Sequence, residues 1–443
     1  MTSSPARRAA FKILKRVEAE GAFASSLLAT LGGTVRDDDR ALCHELVLGV
    51  LRRQLWLDYA LAHFGNRRIE TLDLEVKLAL RLGLYQLRFL SRIPPSAAVD
   101  ESVKLVREAR LKSAASFVNA VLRRATREPD YDPTASAGDQ FERLAIETSH
   151  PPWLLESWVS SFGLDDTTAM ARANNEPAPV AFRWTSKTIR ANKQQRVIQE
   201  LESSGARLLP SNVAPDSWRV TGESKLLQKL SHEGLIYFQD EASQLVAHLL
   251  AAESSERVLD VCAAPGSKTT LISSLAPQAM IVAGDLYEHR LRTLRELAIM
   301  QGCESIRLLA NDGTRGLPFA DASFDRILVD APCSGTGTLR HSPEIRWRVR
   351  PDDIARLSSI QKQILANAAF KVRVGGLLVY STCSVERDEN ENVIEDFLKN
   401  HSAFDQVPLV AAAGLLLENG AIRTWPHRQD VDGFFIAAFK RTV

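Results

Sequence analysis

Two cysteines follow apolar runs directly: Cys333 in FDRILVDAPCSGTG and Cys383 in LLVYSTCS. A thiolate can add to an electrophilic carbon and later leave, so a cysteine at a strand end is a candidate covalent catalyst. An unperturbed thiol is only about 3% ionised at pH 7, so such a site should favour the thiolate. Lys268, in GSKTT, is a candidate cation for that task. Cys43, Cys262 and Cys303 stand in apolar or helical contexts, where cysteine serves as a small hydrophobe.

A second group of residues lies upstream. In VLDVCAAPGSKTT, Pro265 and Gly266 let the backbone turn tightly between a strand and a helix N-terminus. Asp285 closes the next apolar run 19 residues after Gly266, where a carboxylate accepts hydrogen bonds from ribose hydroxyls. Neither the G-K-[ST] phosphate loop nor the G-x-G-x-x-G dinucleotide fingerprint is present. A ribose-binding acid with little demand for phosphate suits S-adenosylmethionine, and a generic Rossmann-like enzyme is the alternative. A thiol beside a methyl donor suits methylation of cytosine carbon 5, which is too weakly nucleophilic until a thiolate adds at carbon 6. Asp330 is placed to bond the N3 side of the ring. Amine methylation would place an uncharged Asn-Pro-Pro-aromatic turn at 330–333, and DAPC argues against it.

The elements that must position these residues are legible from periodicity. From about 253, apolar strands alternate with helical segments, which implies a parallel doubly wound sheet with its ligands at the strand carboxyl ends. DGFFIAAFK supplies one further, antiparallel strand. Residues 5–127 read as successive amphipathic helices, interrupted at Pro94-Pro95. EPDYDPTASAGDQ is a linker. Short strands in PAPVAFRW and DSWRVTG flank the helix ANKQQRVIQELESSG, as in a small α+β domain. The expected division is 1–130, 141–237 and 238–443.

Of the 443 residues, 55 are Lys or Arg and 54 are Asp or Glu. Residues 1–130 hold 22 of the former against 15 of the latter, so a basic N-terminal third faces a net acidic remainder. That asymmetry suggests a polyanion such as RNA as partner. The Arg52-Arg53, Arg67-Arg68 and Arg123-Arg124 pairs end helices, suiting either the helix dipole or phosphate contacts. No apolar run is long enough to span a bilayer, and the first residues lack a secretory signal. Five cysteines without a C-x-x-C pair argue against a disulfide framework or a zinc site. The expectation is a cytoplasmic, metal-free monomer with reduced thiols.

DVCAAPGSKTT, DLYEHR, NDGT, DAPCSGTGTLR followed by EIRW, YSTCSVERDEN and DGFFIAAF together resemble the motifs of the Sun-type RNA cytosine-5 methyltransferases. FQDEASQL resembles the opening of their catalytic domain, and the helical region resembles a NusB-type RNA-binding domain. SHPPWLLESW and PAPVAFRW resemble the small linking domain of the bacterial branch that acts on small-subunit ribosomal RNA.

The resemblance implies a Rossmann-like, S-adenosyl-L-methionine-dependent catalytic domain and 16S ribosomal RNA as partner. It makes Cys383 the nucleophile and Cys333 the residue that helps release product. It puts cofactor contacts on Cys262, Ala263, Ala264, Pro265, Gly266, Ser267, Lys268, Asp285, Asp312 and Asp330. Ser267 replaces a usual Gly, Tyr287 a common Asp, and NDGT the commoner Gly-Asp-Gly-Arg. Glu391 mimics the motif with which DNA cytosine methyltransferases place a catalytic glutamate, but reads as a solvated helix residue. Transfer RNA as substrate, or a non-catalytic RNA-binding role, are the alternatives.

Overall fold

The computed structural model describes residues 2–30, 36–222, 225–303, 305–411 and 414–443. The chain folds as two units, one of Met1–Pro177 with Leu339–Arg348 and one of Ala178–Thr338 with Val349–Val443.

The first unit is helical. Its first helix, Pro5–Glu20, begins with proline at the first turn, where the missing N–H costs nothing, and ends at Gly21 in the left-handed region (φ 68°). Ala6, Ala10, Ile13, Leu14 and Val17 form its buried stripe. The helix Leu74–Phe89 is buried from Leu78 to Gln86 without a break, so it forms the centre of the bundle. Gly83 is required there, because a Cβ would lie 2.5 Å from Leu122 Cδ1. Residues 90–94 separate this helix from Pro95–Glu108, which starts at the second proline of the Pro94-Pro95 pair.

Ten residues from beyond the Cys333 turn also belong to this unit. Arg346 is fully buried. Its guanidinium donates to the carbonyls of Thr148 (3.1 Å), Ser149 (3.1 Å) and Asn174 (3.3 Å) and to Asn175 Oδ1 (2.9 Å). Arg52 donates to the Arg340 carbonyl (2.8 Å), and Arg348 to those of Val17 (2.9 Å) and Ala22 (2.6 Å). The helix-ending arginine pairs therefore divide. Arg52 is internal, and Arg124 is engaged with Glu128 (2.8 Å) and the His63 carbonyl (2.9 Å), so neither is free for phosphate.

The second unit carries two sheets. Strands β1 (Val180–Trp184), β2 (Arg207–Pro210), β3 (Ser217–Thr221) and β4 (Ile236–Phe238) pair antiparallel in the order β2-β3-β1-β4. Sequence periodicity reveals β1 and β3; β2 and β4 are too short to show an alternation.

The larger sheet contains β5 (Arg257–Asp260), β6 (Met280–Asp285), β7 (Arg307–Ala310), β8 (Phe324–Asp330), β9 (Val372–Thr382), β10 (Phe404–Val407), β11 (Ile422–Arg423) and β12 (Phe435–Arg441). Its order is β10-β12-β9-β8-β5-β6-β7, with β11 paired to β12. β5 to β9 run parallel, and β12 returns antiparallel along β9, as DGFFIAAFK implied. The edge strand β10 is not evident from the sequence. Ile327, Leu328, Val329, Leu378, Val379 and Tyr380 are all buried, as strands covered on both faces require.

Candidate active site

The order reversal falls between β5 and β8, so the carboxyl ends of β5, β6, β8 and β9 frame one crevice. After β5 the chain makes a turn containing a cis Ala264–Pro265 bond and enters the helix Ser267–Leu275. Gly266 has φ 108°, and a Cβ there would lie 2.6 Å from Leu294 Cγ, so glycine is required.

Asp285 ends β6 buried, accepting from the backbone N–H of Ala264 (3.2 Å) and of Tyr287 (3.0 Å). Asp312 is drawn into its own turn, accepting from Thr314 N (3.0 Å) and Oγ1 (2.7 Å), with Arg315 3.3 Å away. The Thr314 bonds hold its carboxyl below the usual range. Cys262 offers no nucleophile. Burial, then Asp260, Asp330 and Asp285, push its thiol well above its ordinary value.

The residues lining this crevice fit a nucleoside-bearing methyl donor. Among the described residues the buried amide Nδ2 of Asn311 has no partner, and it lies beside Gly284, where a Cβ would lie 2.7 Å from Asn311 Oδ1. A stranded donor, a buried acid and a glycine-lined strand end therefore converge on one place.

Lys268 projects from the helix after β5. Its Nζ lies 2.8 Å from Asp330 Oδ2 and 5.0 Å from the Phe434 ring centroid. Burial disfavours its charge, but Asp330 outweighs that, so the ammonium is held above its ordinary value. Asp330, at the end of β8, also accepts from Ser381 Oγ at 2.8 Å. The neighbouring Asp260 is fully buried and accepts from Thr269 Oγ1 at 2.7 Å. Desolvation pushes its ionisation up to about 7.

The two cysteines meet because β8 and β9 are adjacent and parallel, in register from Asp330↔Ser381. Their sulfurs are 3.3 Å apart and both side chains are half-buried. The loops that follow are pinned. Gly337 N–H donates to the Cys383 carbonyl (3.0 Å) and Gly433 N–H to that of Gly337 (2.8 Å), a contact that a Cβ on Gly337 would block. The hydrogen bond to Cys383 and burial, then the charges of Cys383, Glu389 and Asp330, push the Cys333 thiol well above its ordinary value. The surroundings of Cys333 thus disfavour its thiolate.

Several residues at the site carry no signal in isolation. Arg183, fully buried on β1, donates to the Ser267 carbonyl (3.0 Å) and Thr270 Oγ1 (2.8 Å), bracing the helix Ser267–Leu275. Burial lowers its ionisation to about 10. An arginine inside PAPVAFRW is the available hint. Glu391 is not solvated, contrary to the sequence reading. Both of its oxygens accept from Arg423 Nη2 at 2.7 Å, and the Arg423 side chain is almost wholly buried.

A Rossmann-like sheet with its crevice at the reversal of strand order defines an S-adenosyl-L-methionine-dependent methyltransferase. Residues 247–440 match the model described as 16S rRNA methyltransferase RsmB/F, residues 4–127 the NusB family, and residues 150–235 the RsmF/B-like ferredoxin-like domain. The probable ribosomal RNA small subunit methyltransferase B of Bacillus subtilis is 34% identical, covering 100% of both chains. The ribosomal RNA small subunit methyltransferase B of Yersinia enterocolitica is 32% identical, covering 97% of each. Among solved structures, PH0851 is similar over 100% of both chains (TM-score 0.84, 26% identity). A methyltransferase homolog from Pyrococcus horikoshii covers 69% of this chain and 100% of its own (TM-score 0.60, 26% identity). The chain belongs to the RsmB/F family of 16S rRNA methyltransferases.

Proposed function

We propose that this protein methylates carbon 5 of one cytosine in 16S ribosomal RNA, with Cys383 as nucleophile. The pairing of Cys383 with Cys333 at 3.3 Å, beside the Lys268–Asp330 pair, is the observation that carries this reading. Cys383 Sγ adds to carbon 6 of the ring, breaking the 5,6 double bond and making carbon 5 nucleophilic. Asp330 bonds the N3 edge and stabilises the adduct, while Lys268 holds Asp330 in place. Bound S-adenosyl-L-methionine supplies the electrophilic methyl that carbon 5 accepts. A base then removes the carbon 5 proton, the C6–S bond breaks and Cys383 leaves with its electron pair. Cys333 assists this release.

The methyl donor is held by the turn from Cys262 through Ala263, Ala264, Pro265, Gly266 and Ser267 to Lys268, together with Asp285, Asp312 and Asp330. On this reading the enzyme works in the cytoplasm as a monomer and uses no metal ion. Its working parts are a helical RNA-binding domain (1–130), a linking domain (141–237) and a catalytic domain (238–443). No described helix is long and apolar enough to cross a membrane. Bisulfite mapping of ribosomal and transfer RNA from cells lacking the protein tests the substrate. Loss of one protected cytosine in 16S RNA is expected; loss confined to transfer RNA would overturn the assignment.

A further inference from the structure

Glu389 lies in the short turn Arg387–Glu389, fully buried. Its Oε1 accepts from the Ser334 backbone N–H (2.8 Å) and Gln361 Nε2 (3.0 Å). Its Oε2 accepts from Ser334 Oγ (2.5 Å) and Ser384 Oγ (2.6 Å). Ser334 follows Cys333 and Ser384 follows Cys383, so one carboxylate ties together the residues next to both sulfurs. Two of its four donors are N–H groups that can only donate, both on the same oxygen.

Among the described residues Glu389 has no ion pair. A buried carboxylate without a cation is costly unless it is fully hydrogen-bonded, and this one is. Tyr380 Oη donates to the Glu389 carbonyl (2.5 Å), and Ser358 Oγ to that of Asp388 (2.6 Å), so the turn itself is fixed.

We infer that Glu389 is a positioning residue that sets the spacing of the two sulfurs and, by its charge, keeps the proton on Cys333. Cys333 then stays a thiol whose proton is available to Cys383 across the 3.3 Å contact. The groups facing Cys333 are Cys383, Glu389, Asp330 and Tyr380, with Lys268 neutralising Asp330. Among the described residues Glu389 is therefore the carboxyl group on the Cys333 side that no cation pairs. This inference rests on the role of Cys383 proposed above, although the state of Cys333 is measurable without RNA.

The test is the rate at which iodoacetamide alkylates Cys333, followed by peptide mass spectrometry in full-length protein between pH 7 and 9.5. Glu389→Gln keeps the shape and removes the charge; alkylation of Cys333 should rise about ten-fold at pH 8, the thiolate gain from lowering its ionisation by one pH unit. Methyl transfer should fall at least ten-fold. Glu389→Asp keeps the charge but cannot span both loops. It should leave Cys333 alkylation low and still slow methyl transfer. Circular dichroism and methyl-donor binding check that each variant is folded; Ser384→Ala, which removes one donor, replaces any variant that is not.

Unchanged alkylation of Cys333 in Glu389→Gln would overturn the inference while leaving the nucleophile assignment intact. Faster alkylation with undiminished methyl transfer would also overturn it. A wild-type RNA adduct on Cys333 would instead overturn the proposed roles.

Discussion

Asp260 provides a quantitative test of how this crevice is built. Its carboxyl is fully buried at the end of β5, accepts from Thr269 Oγ1, and ionises at about 7 instead of 3.8 because burial disfavours its charge. The unfolded chain therefore loses this proton near pH 4, whereas the folded chain keeps it until about pH 7. Over that window the folded state binds more protons, so the contribution of Asp260 to stability falls as pH rises and levels off above pH 7. The displacement corresponds to about 4 kcal/mol, at about 1.4 kcal/mol per pH unit. Asp260→Asn does not titrate, keeps an oxygen for Thr269, and strands an amide N–H at about 1–3 kcal/mol. The variant should be less stable than wild type at pH 4.5. By pH 8 it should be more stable by about 1–3 kcal/mol, which raises the melting temperature by a few degrees. Thermal unfolding of both proteins in parallel, from pH 4.5 to 8, cancels the titrating groups that do not interact with Asp260. A melting-temperature difference that does not change with pH would refute the reasoning.

Lys268→Met should leave Asp330 without its 2.8 Å partner. Removing one member of a buried pair costs about 3–5 kcal/mol. The 26% exposure of the Asp330 side chain places this case near about 3 kcal/mol, readable by urea unfolding, with methyl transfer greatly reduced. Arg346→Met should strand the acceptors at Thr148, Ser149, Asn174 and Asn175, each worth about 1–3 kcal/mol. Hydrogen exchange at residues 148–175 should accelerate at least ten-fold; unchanged protection there would show that the buried guanidinium is not what orders this region.

The chemistry is more legible in the sequence than its support. Cys333, Cys383, Asp285 and the turn at Pro265-Gly266 announce themselves because each interrupts a strand-to-helix junction with a residue type that regular packing does not need. Strands β5, β6, β8 and β9 are visible as apolar runs, since burial on both faces removes polar residues. What stays hidden depends on contacts between distant segments. Arg346 reads as one more basic residue in EIRWR, yet it is wholly internal; Glu391 reads as solvated, yet it is held by an arginine 32 residues further on. Glu389 cannot be distinguished from its neighbours in ERDEN, because its partners Ser334 and Gln361 come from other elements. The carboxylate density around Cys333 is equally invisible, so the sequence offers two equivalent thiols where the fold makes them unequal.

The central claim is that Cys383 attacks and Cys333 releases. Incubating the Cys333→Ala protein with 16S RNA and S-adenosyl-L-methionine, then denaturing, digesting and mapping the cross-linked peptide, tests it most directly. A denaturant-resistant protein–RNA complex attached through Cys383 is the predicted result. Normal turnover by Cys333→Ala, with the trapped complex forming in Cys383→Ala, would contradict it.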